Sequence, residues 1–475
     1  MKNQFLCIAI FTFLSLINMG LKSKENSLTL PGEKSKDVIF YLTKPDKSAL
    51  FAKQENRISV ATDKSLPAIE VNTDKTFQEM DGFGITLTGG SAFHINNMSA
   101  SQRHELLTEL FAFDKENIGI SYLRISLGAS DLDAEVFSYN DLPKGETDLK
   151  MERFSLEPDR KFLIPVLKEI LTINPKIKIM SSPWSPPTWM KTNNATKGGS
   201  LKPEFYDAYA KYFVKYVQEM QKERIRIDAI TVQNEPLHPG NNPSLLMPAT
   251  VQADFVKRSL GPAFKTAGVK TKIIIYDHNA DKPEYPITVL NDPEAKKYID
   301  GSAFHLYGGV IENVSKVHEA HPDKNLYFTE QWIGAPGNFN GDLQWHIKNL
   351  IIGASRNWCK TLLEWNLAAD PNQKPHTPGG CDRCLGAVTI DGDLVTRNPA
   401  YYIVAHAAKF VRPGSVRIDS NIPENLPNVA FKTSDGKIVI VVLNDSNTEK
   451  KFNIKIGNEA ITTSLTSGSV GTYIW

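Results

Sequence analysis

Cysteine is scarce in this 475-residue sequence, which has only four, and this limits the metal sites and disulfides that it can form. Cys7 lies inside an N-terminal apolar run, which leaves Cys359 and the close pair Cys381 and Cys384. A structural zinc needs four ligands, and no second close pair exists to complete such a site. In an exported chain the pair is better explained as a disulfide that closes a loop.

Two further patterns that would indicate a bound ion or polyanion are also missing. No two histidines have the four-residue spacing of the helical metal-binding motif, so we expect no cofactor, although scattered His, Asp and Glu residues leave a metal site open. Neither sign of charge is in excess, because 54 Lys and Arg residues balance 53 Asp and Glu residues. This balance gives no reason to expect nucleic acid or an anionic membrane as partner, and favours a neutral one.

Long hydrophobic runs are absent beyond the N-terminus. The run from residue 5 to residue 17 is too short to span a bilayer, so we expect no membrane span. Lys2 precedes it and the chain turns polar at Lys22, which is the layout of a secretory signal peptide over residues 1–22; a buried N-terminal strand or helix is the alternative. We therefore expect a soluble monomer that is secreted, periplasmic or attached to the cell surface.

The middle of the chain alternates short β-branched runs with longer amphipathic segments, a pattern typical of βα units around a parallel sheet. The predicted strands are 83–88, 122–127, 177–181, 229–233, 272–276, 301–305, 326–329 and 360–364. The predicted helices include 101–113, 160–173, 204–223, 249–267 and 343–355. Eight such units predict an α/β fold, a (β/α)8 TIM barrel over residues 77–410.

Both ends of the mature chain have a different pattern, with short alternating strands and turns. The strand-like segments are 38–42, 68–71, 429–433, 437–443, 451–456 and 471–475. We therefore predict an accessory antiparallel β-sandwich built from both chain ends, residues 27–76 and 411–475.

In a barrel of this type the active site lies at the C-terminal ends of the strands, so polar residues that follow the apolar runs are candidates. They are Arg124 and Asp131 after the second strand, Trp184 after the third, Asn234 and Glu235 after the fourth, Asp277, His278 and Asn279 after the fifth, His305 and Tyr307 after the sixth, Glu330 and Trp332 after the seventh, and Glu364 and Trp365 after the eighth.

Glu235 and Glu330 can flank a glycosidic bond from related positions of one barrel. A retaining glycosidase holds its two carboxyl groups about 5 to 5.5 Å apart, one as nucleophile and one as proton donor. The donor must stay protonated near neutral pH, which requires a raised pKa. A lone glutamate is usually a solvated surface charge, and Glu364 satisfies the same strand-end test, so it is the third candidate.

The positions of the tryptophan residues favour a sugar as the substrate. Trp184, Trp332 and Trp365 directly follow predicted strands, with Trp189 soon after, and flat rings suit the C–H faces of a pyranose. A single tryptophan would be weak evidence, because aromatic residues in barrels are more often part of the core. Arg124 could equally form a structural ion pair beneath the mouth. His305 and His278 could be core histidines or substrate contacts.

With these residues the sequence resembles glycoside hydrolase family 30, the family of lysosomal glucosylceramidase and microbial β-1,6-glucanases, over nearly the whole mature chain. The motifs are Asp81-Gly82-Phe83-Gly84, Leu123-Arg124-Ile125, Ser182-Pro183-Trp184-Ser185-Pro186-Pro187-Thr188-Trp189-Met190-Lys191-Thr192-Asn193, Asn234-Glu235-Pro236, Thr329-Glu330 and Trp365-Asn366-Leu367-Ala368.

The resemblance implies a role for each candidate. It makes the protein a retaining β-glycoside hydrolase acting by double displacement on β-glucosidic linkages, with Glu235 as acid/base and Glu330 as nucleophile. The resemblance also implies that Asn234 binds the sugar 2-hydroxyl. Further residues implied to contact the sugar or support the nucleophile are Asp131, Trp184, Trp365, Arg124, His305 and Tyr307.

Three segments favour the β-1,6-glucanase branch over the glucosylceramidase branch. They are Thr88-Gly89-Gly90-Ser91-Ala92, Glu330-Gln331-Trp332 and the loop 378–384 with its two cysteines. Trp332 would suit a glucosyl leaving group better than a lipid tail. The expected substrate is a neutral glucan or glucoside. The alternatives are a glucosylceramidase or broad β-glucosidase, a xylan-cleaving relative, and a non-catalytic carbohydrate-binding protein, although the presence of both glutamates argues against the last.

Overall fold

The computed structural model describes residues 38–54 and 63–475 of the chain. The predicted signal peptide, residues 1–22, lies outside these residues, as does part of the predicted segment 27–76. The first strands are β1 (Ile39–Thr43), β2 (Ala52–Gln54) and β3 (Ala68–Glu79). Within the described ranges, no helix combines the length and the apolar character needed to cross a bilayer.

The middle of the chain forms a closed barrel. Its strands, with one short strand between the last two, are β4 (Gly82–Leu87), β5 (Tyr122–Ser126), β6 (Lys178–Ser182), β7 (Ala229–Thr231), β8 (Lys272–Asn279), β9 (Ile299–His305), β10 (Asn325–Glu330), β11 (Ile333–Gly334) and β12 (Cys359–Glu364). All except β11 are parallel and close in the order β10-β12-β4-β5-β6-β7-β8-β9. Each of the eight predicted strands overlaps one of them, so the predicted barrel is confirmed.

The strands read as continuous apolar runs because both of their faces are covered, one by the barrel interior and one by helices. One interior layer consists of Tyr122, Met180, Ala229, Ile274, Ala303, Tyr327 and Leu363, each from a different strand. The barrel is therefore a packed core, and a ligand can approach only at its ends.

The helices pack around the barrel and in its loops. They are α1 (Gly89–Asn97), α2 (Ala100–Phe111), α3 (Glu157–Arg160), α4 (Leu163–Ile173), α5 (Tyr206–Lys222), α6 (Ala249–Phe255), α7 (Gly261–Ala267), α8 (Glu284–Leu290), α9 (Pro293–Lys296), α10 (Asn313–Ala320), α11 (Phe339–His346) and α12 (Pro399–Ala408). Two predicted helices contain π-helical turns, Val256–Leu260 and Ile347–Ala354. Gly261 follows the first turn, where a Cβ atom would overlap the Tyr298 ring.

Both chain ends meet in a second sheet. The remaining strands are β13 (Ala368–Ala369), β14 (Cys384–Leu385), β15 (Val388–Asp391), β16 (Leu394–Arg397), β17 (Val416–Ser420), β18 (Asn428–Lys432), β19 (Ile438–Leu443), β20 (Lys450–Ile456), β21 (Glu459–Leu465) and β22 (Val470–Ile474). The nine-stranded sheet has the order β2-β1-β22-β19-β18-β17-β3-β20-β21, and every pair is antiparallel except β3 with β20. The predicted sandwich from both ends is confirmed.

Candidate active site

Arg124 lies at the centre of the candidate active site, on β5. Side chains alternate along a strand, and Tyr122 lies in the interior layer, so Arg124 also points inward. The guanidinium is completely buried and donates from Nη1 to Glu330 at 2.5 Å. Its Nη2 donates to Asn234 at 2.6 Å and to Asp277 at 2.9 Å. One side chain thus joins residues from four barrel strands and their loops.

Asp277, at the end of β8, accepts four hydrogen bonds within the barrel. Its Oδ1 accepts from Thr329 at 2.6 Å and contacts Nε2 of His305 at 3.1 Å. Its Oδ2 accepts from Thr231 at 2.7 Å and from Arg124. Burial alone would raise the pKa of Asp277, but the charges of Arg124 and His305 hold it well below its usual range. The carboxylate is therefore ionised and fixes both cationic side chains.

His305 connects Asp277 to the two predicted catalytic glutamates. Its Nδ1 lies 3.3 Å from Oε1 of Glu235 and 3.8 Å from Oε1 of Glu330. Burial alone would lower the pKa of His305, but the charges of the three surrounding carboxylates raise it to about 9. Both ring nitrogens can then donate, one to Asp277 and one to Glu235.

The two glutamates have different hydrogen-bond partners. Glu330 accepts from Arg124 on Oε2 and from the Tyr307 hydroxyl on Oε1 at 2.9 Å. Glu235 contacts His305 through Oε1, while His278 lies 3.9 Å away. One oxygen of each glutamate and one nitrogen of His305 all lie within 4.8 Å of one another.

The backbone at Glu235 is strained. Its φ angle is 46°, in the left-handed region that side-chain-bearing residues rarely adopt. A hydrogen bond from its backbone N–H to the Asp277 carbonyl, at 2.9 Å, holds this conformation. In this conformation the Glu235 side chain lies at the barrel mouth.

The pKa values of the two glutamates shift in opposite directions. Burial raises the pKa of Glu330, and the charge of Glu235 adds to this rise, although His305 and Arg124 oppose it. Burial alone would raise the pKa of Glu235, but the hydrogen bond and charge of His305 lower it. The raised pKa expected of the proton donor is therefore found on Glu330 in the free site, since two neighbouring carboxylates avoid ionising together. Glu235, Glu330 and His305 could also offer ligand atoms to a metal ion. The cationic Arg124 and His305 already neutralise these carboxylates, which disfavours a further cation.

Aromatic rings form one wall of the site. The rings of Trp184 and Trp365 have centroids 5.4 Å apart, and the Arg124 guanidinium lies 4.9 Å from the first and 5.8 Å from the second. Trp332 packs against the same buried cluster, which includes Cys384. The wall therefore combines flat apolar surfaces with a fixed positive charge behind them.

Asp131 is attached to the disulfide loop. Cys381 and Cys384 are joined by a disulfide, and the backbone N–H of Cys381 donates to Oδ2 of Asp131 at 3.1 Å. Burial, together with the charge of Glu330, raises the pKa of Asp131 to about 7. Asp131 can therefore exchange its proton near neutral pH.

A pocket of about 350 Å³ opens at this end of the barrel. The predicted residues that line it are Asp131, Trp184, Asn234, Glu235, Tyr307, Glu330, Trp332, Trp365, Cys381 and Cys384. Arg124 and His305 are completely buried behind them and do not line the pocket. His238, Asn241, His278 and Asn279 also line it. Of these four, the strand-end pattern signalled only His278 and Asn279.

Two sequence candidates lie away from the pocket. Glu364 is completely buried and contacts Nδ1 of His346 at 2.8 Å. Trp189 is buried, and its indole N–H donates to the backbone of Asn140 at 3.1 Å. Both are therefore part of the packing around the site.

Lys191 joins the loops that follow β6 and β7, beside the pocket. Its buried ammonium donates to Oγ of Ser185 at 2.9 Å, to the Thr196 carbonyl at 2.8 Å and to the Ser244 carbonyl at 2.7 Å. Ser244 belongs to the same loop as Glu235. All three acceptors are neutral, and burial lowers the pKa of Lys191 to about 7.

Comparison with known families settles the class of the protein. The model of the glycosyl hydrolase family 30 TIM-barrel domain matches residues 80–411, and that of the family 30 beta sandwich domain matches residues 414–473. The chain belongs to glycosyl hydrolase family 30. The family 30 chain is thus a glycoside hydrolase, as the sequence motifs predicted.

Relatives cover both branches of the family. The endo-1,6-beta-D-glucanase of Neurospora crassa is 34% identical over 414 residues, which cover 83% of this chain and 82% of the relative. The lysosomal acid glucosylceramidase of Mus musculus is 30% identical over 439 residues, covering 86% and 83%. The solved structure of the endo-beta1,6-glucanase BT3312 matches with a TM-score of 0.86 at 36% identity, covering 93% of this chain and 99% of that chain.

Proposed function

We propose that this family 30 chain hydrolyses β-1,6-linked glucan with retention of anomeric configuration, using Glu330 as nucleophile and Glu235 as acid/base. The observation that carries the mechanism is the separation of the two carboxylates, whose nearest oxygens lie within 4.8 Å. An inverting enzyme needs about 6.5 to 9.5 Å, because a water molecule must fit between the carboxyl group and the sugar.

In the first step, Glu330 attacks the anomeric carbon while Glu235 gives its proton to the leaving oxygen. The glycosidic bond breaks and a glucosyl ester forms on Glu330. Arg124 and Tyr307 donate to Glu330, and these bonds stabilise its ionised form. Because the pKa of Glu330 is raised and that of Glu235 is lowered in the free site, the mechanism requires the proton to pass to Glu235 when the sugar binds. In the second step Glu235 takes a proton from water, the water oxygen bonds to the anomeric carbon, and Glu330 is released.

The aromatic wall, Asp131 and the side-chain amide of Asn234 explain how the site can bind a glucosyl unit. Trp184 and Trp365 offer apolar faces to the ring, and Asp131 can accept hydrogen bonds from two hydroxyls. The Oδ1 atom of Asn234 accepts from Arg124, which leaves its amide N–H groups to face the sugar 2-hydroxyl. We therefore propose Asp131, Asn234 and the two tryptophans as substrate-binding residues.

The choice of β-1,6-glucan rests on the relatives and on Trp332. The Neurospora crassa relative and the BT3312 structure are both named as β-1,6-glucanases. Trp332 lines the pocket, where its ring suits a second glucosyl unit. Replacing Trp332 by Ala should impair cleavage of a β-1,6-gluco-oligosaccharide more than that of an aryl glucoside. Equal losses on both substrates would refute this role.

The decisive experiment compares substrates. The protein is incubated with linear β-1,6-glucan, β-1,3-glucan and glucosylceramide, with Glu330→Gln as the blank, and the first-formed anomer is identified by NMR. We expect release of β-anomeric products from β-1,6-glucan alone and none with the variant. Activity on the lipid alone would favour the second candidate, a glucosylceramidase, which the Mus musculus relative supports. Full activity in the variant would refute the mechanism.

We also propose that the protein is exported, on the basis of the N-terminal sequence pattern, and that it is a monomer. Expression with the native N-terminus should yield a mature chain beginning near residue 23 outside the cytoplasm. Light scattering should give the mass of one chain. Retention of the first 22 residues or a dimer mass would contradict these proposals.

A further inference from the structure

The two halves of the barrel mouth differ in chemistry. The neighbouring strands β12, β4, β5 and β6 precede the loops with Trp365, Asp131 and Trp184, which we propose to hold the cleaved glucosyl unit. The other half, β7 to β10, carries both glutamates. Between those glutamates, the pocket is lined by His238 and Asn241 from the loop after β7 and by His278 and Asn279 at the end of β8. The mechanism described above uses none of these four residues.

His278 presents a hydrogen-bond donor to the pocket. Its side chain is nine-tenths buried, and its Nδ1 has no hydrogen-bond partner among the described residues. Burial lowers the pKa of His278 to about 4, so the ring is neutral and carries one proton. Because an unpaired buried N–H costs more than an unpaired lone pair, the proton belongs on Nε2. This nitrogen lies 3.9 Å from Oε1 of Glu235, too far for a mutual hydrogen bond.

Two side-chain amides provide further hydrogen-bond donors beside His278. The Oδ1 of Asn241 accepts from the backbone N–H of Asn242 at 2.9 Å, and the Oδ1 of Asn279 accepts from that of Tyr307 at 3.0 Å. Each amide therefore keeps its Nδ2 group as a donor, and no hydrogen bond joins either group to another described residue. The surface beside Glu235 thus offers N–H groups from three side chains.

We propose that His278, Asn241 and Asn279 form a binding site for the sugar on the leaving-group side of the bond, an inference that rests on the proposed glucanase function. The leaving oxygen receives its proton from Glu235, so the unit attached to that oxygen lies beside these donors. A glucosyl unit offers hydroxyl and ring oxygens that accept from them. The hydrocarbon chains of a ceramide would cover these donors without pairing them, which is unfavourable.

The test compares two substrates that differ only in the leaving group, a β-1,6-gluco-oligosaccharide and an aryl β-glucoside. His278→Ala should lower kcat/KM about tenfold for the oligosaccharide, as expected for a lost hydrogen bond, and less than about threefold for the aryl glucoside. His278→Gln, which restores an N–H donor, should recover part of the loss. His104→Ala on α2 is the matched control, since His104 is exposed and lies outside this pocket.

Asn241→Ala is a second variant that keeps the test decisive if His278→Ala does not fold. It should show the same selective loss on the oligosaccharide. Equal effects on both substrates, or no effect on either, in a folded variant would overturn the leaving-group site while the glucanase function stands. Wild-type protein that cleaves glucosylceramide but not the oligosaccharide would overturn the proposed function and this site together.

Discussion

The carboxylate of Asp277 and the guanidinium of Arg124 form an ion pair of 2.9 Å in which both side chains are completely buried. Arg124 extends to Glu330, and His305, which also contacts Asp277, extends to Glu235. Asp277 touches neither glutamate side chain directly, yet it holds the partner of each. It is therefore a positioning residue for both.

Asp277→Asn should lower kcat by about 10² to 10⁴, as for a carboxylate that orients a catalytic histidine. The amide cannot accept from His305, Thr329, Thr231 and Arg124 together, so both cations shift relative to the glutamates. Steady-state kinetics measure the loss, and circular dichroism establishes folding. Asp300→Asn is the control, because Asp300 is a largely buried strand carboxylate paired with Tyr327 instead of the site. A folded Asp277 variant with normal kcat would contradict the positioning role.

Asp131 should make sugar binding depend on pH. Its pKa is raised to about 7 by burial and by the charge of Glu330, and its ionised form accepts the stronger hydrogen bonds from hydroxyls. The KM for a glucoside should therefore rise as the pH falls through about 7. In Asp131→Asn, KM should be higher throughout and this rise should disappear. Kinetics between about pH 5 and 9 test this, and a KM of the wild type that does not change with pH would refute it.

The disulfide should affect binding more than stability. It spans a sequence separation of only three residues, so it constrains the unfolded chain little, but it shapes the loop whose Cys381 N–H donates to Asp131. The Cys381→Ser/Cys384→Ser double variant should raise KM about fivefold, the equivalent of one hydrogen bond of about 1 kcal/mol, with a small change in Tm. Reduced wild type should match it. A large fall in Tm with unchanged KM would show a purely structural disulfide.

Lys191 should make the free energy of unfolding depend on pH. Its folded pKa of about 7 lies below the unfolded value of about 10.4, so the unfolded chain binds more protons between these values. The free energy of unfolding should therefore rise with pH in this window. The wild type should gain stability relative to Lys191→Met between about pH 7 and 10, as measured by urea denaturation. A constant difference would show that Lys191 keeps its charge when folded.

The barrel could be predicted because its strands are short and largely apolar, and the residues at the strand ends could be named as site candidates from their position. The same position made Asp277 a candidate, but it did not predict that the Asp277 side chain lies inside the barrel. Regular alternation from the interior residue Ile274 would place Asp277 on the outer face of β8. Instead, Tyr276 and Asp277 have φ angles of 69° and 67°, and the pairing register shifts there, so the strand turns Asp277 inward. Such a bulge depends on tertiary contacts that the sequence pattern does not reveal.

Other differences also come from contacts between distant residues. Glu364 ends a strand just as Glu330 does, but His346 on α11 removes it from the pocket. His238 and Asn241 line the pocket although they lie several residues beyond β7, because their loop folds back over the mouth. Strand ends alone predict which loops form the site. They do not predict which residues further along each loop line the pocket.

The pairing of β1 with β22 has a consequence for biosynthesis. Ile39 is matched with Ile474, so β1, which pairs with β2 on one edge, gains its second neighbour only when residues 470–474 have been synthesised. The barrel strands are all synthesised in between. The order of emergence therefore gives the barrel time to assemble first, and a message that stopped short of β22 would leave β1 and β19 with exposed edges prone to aggregation.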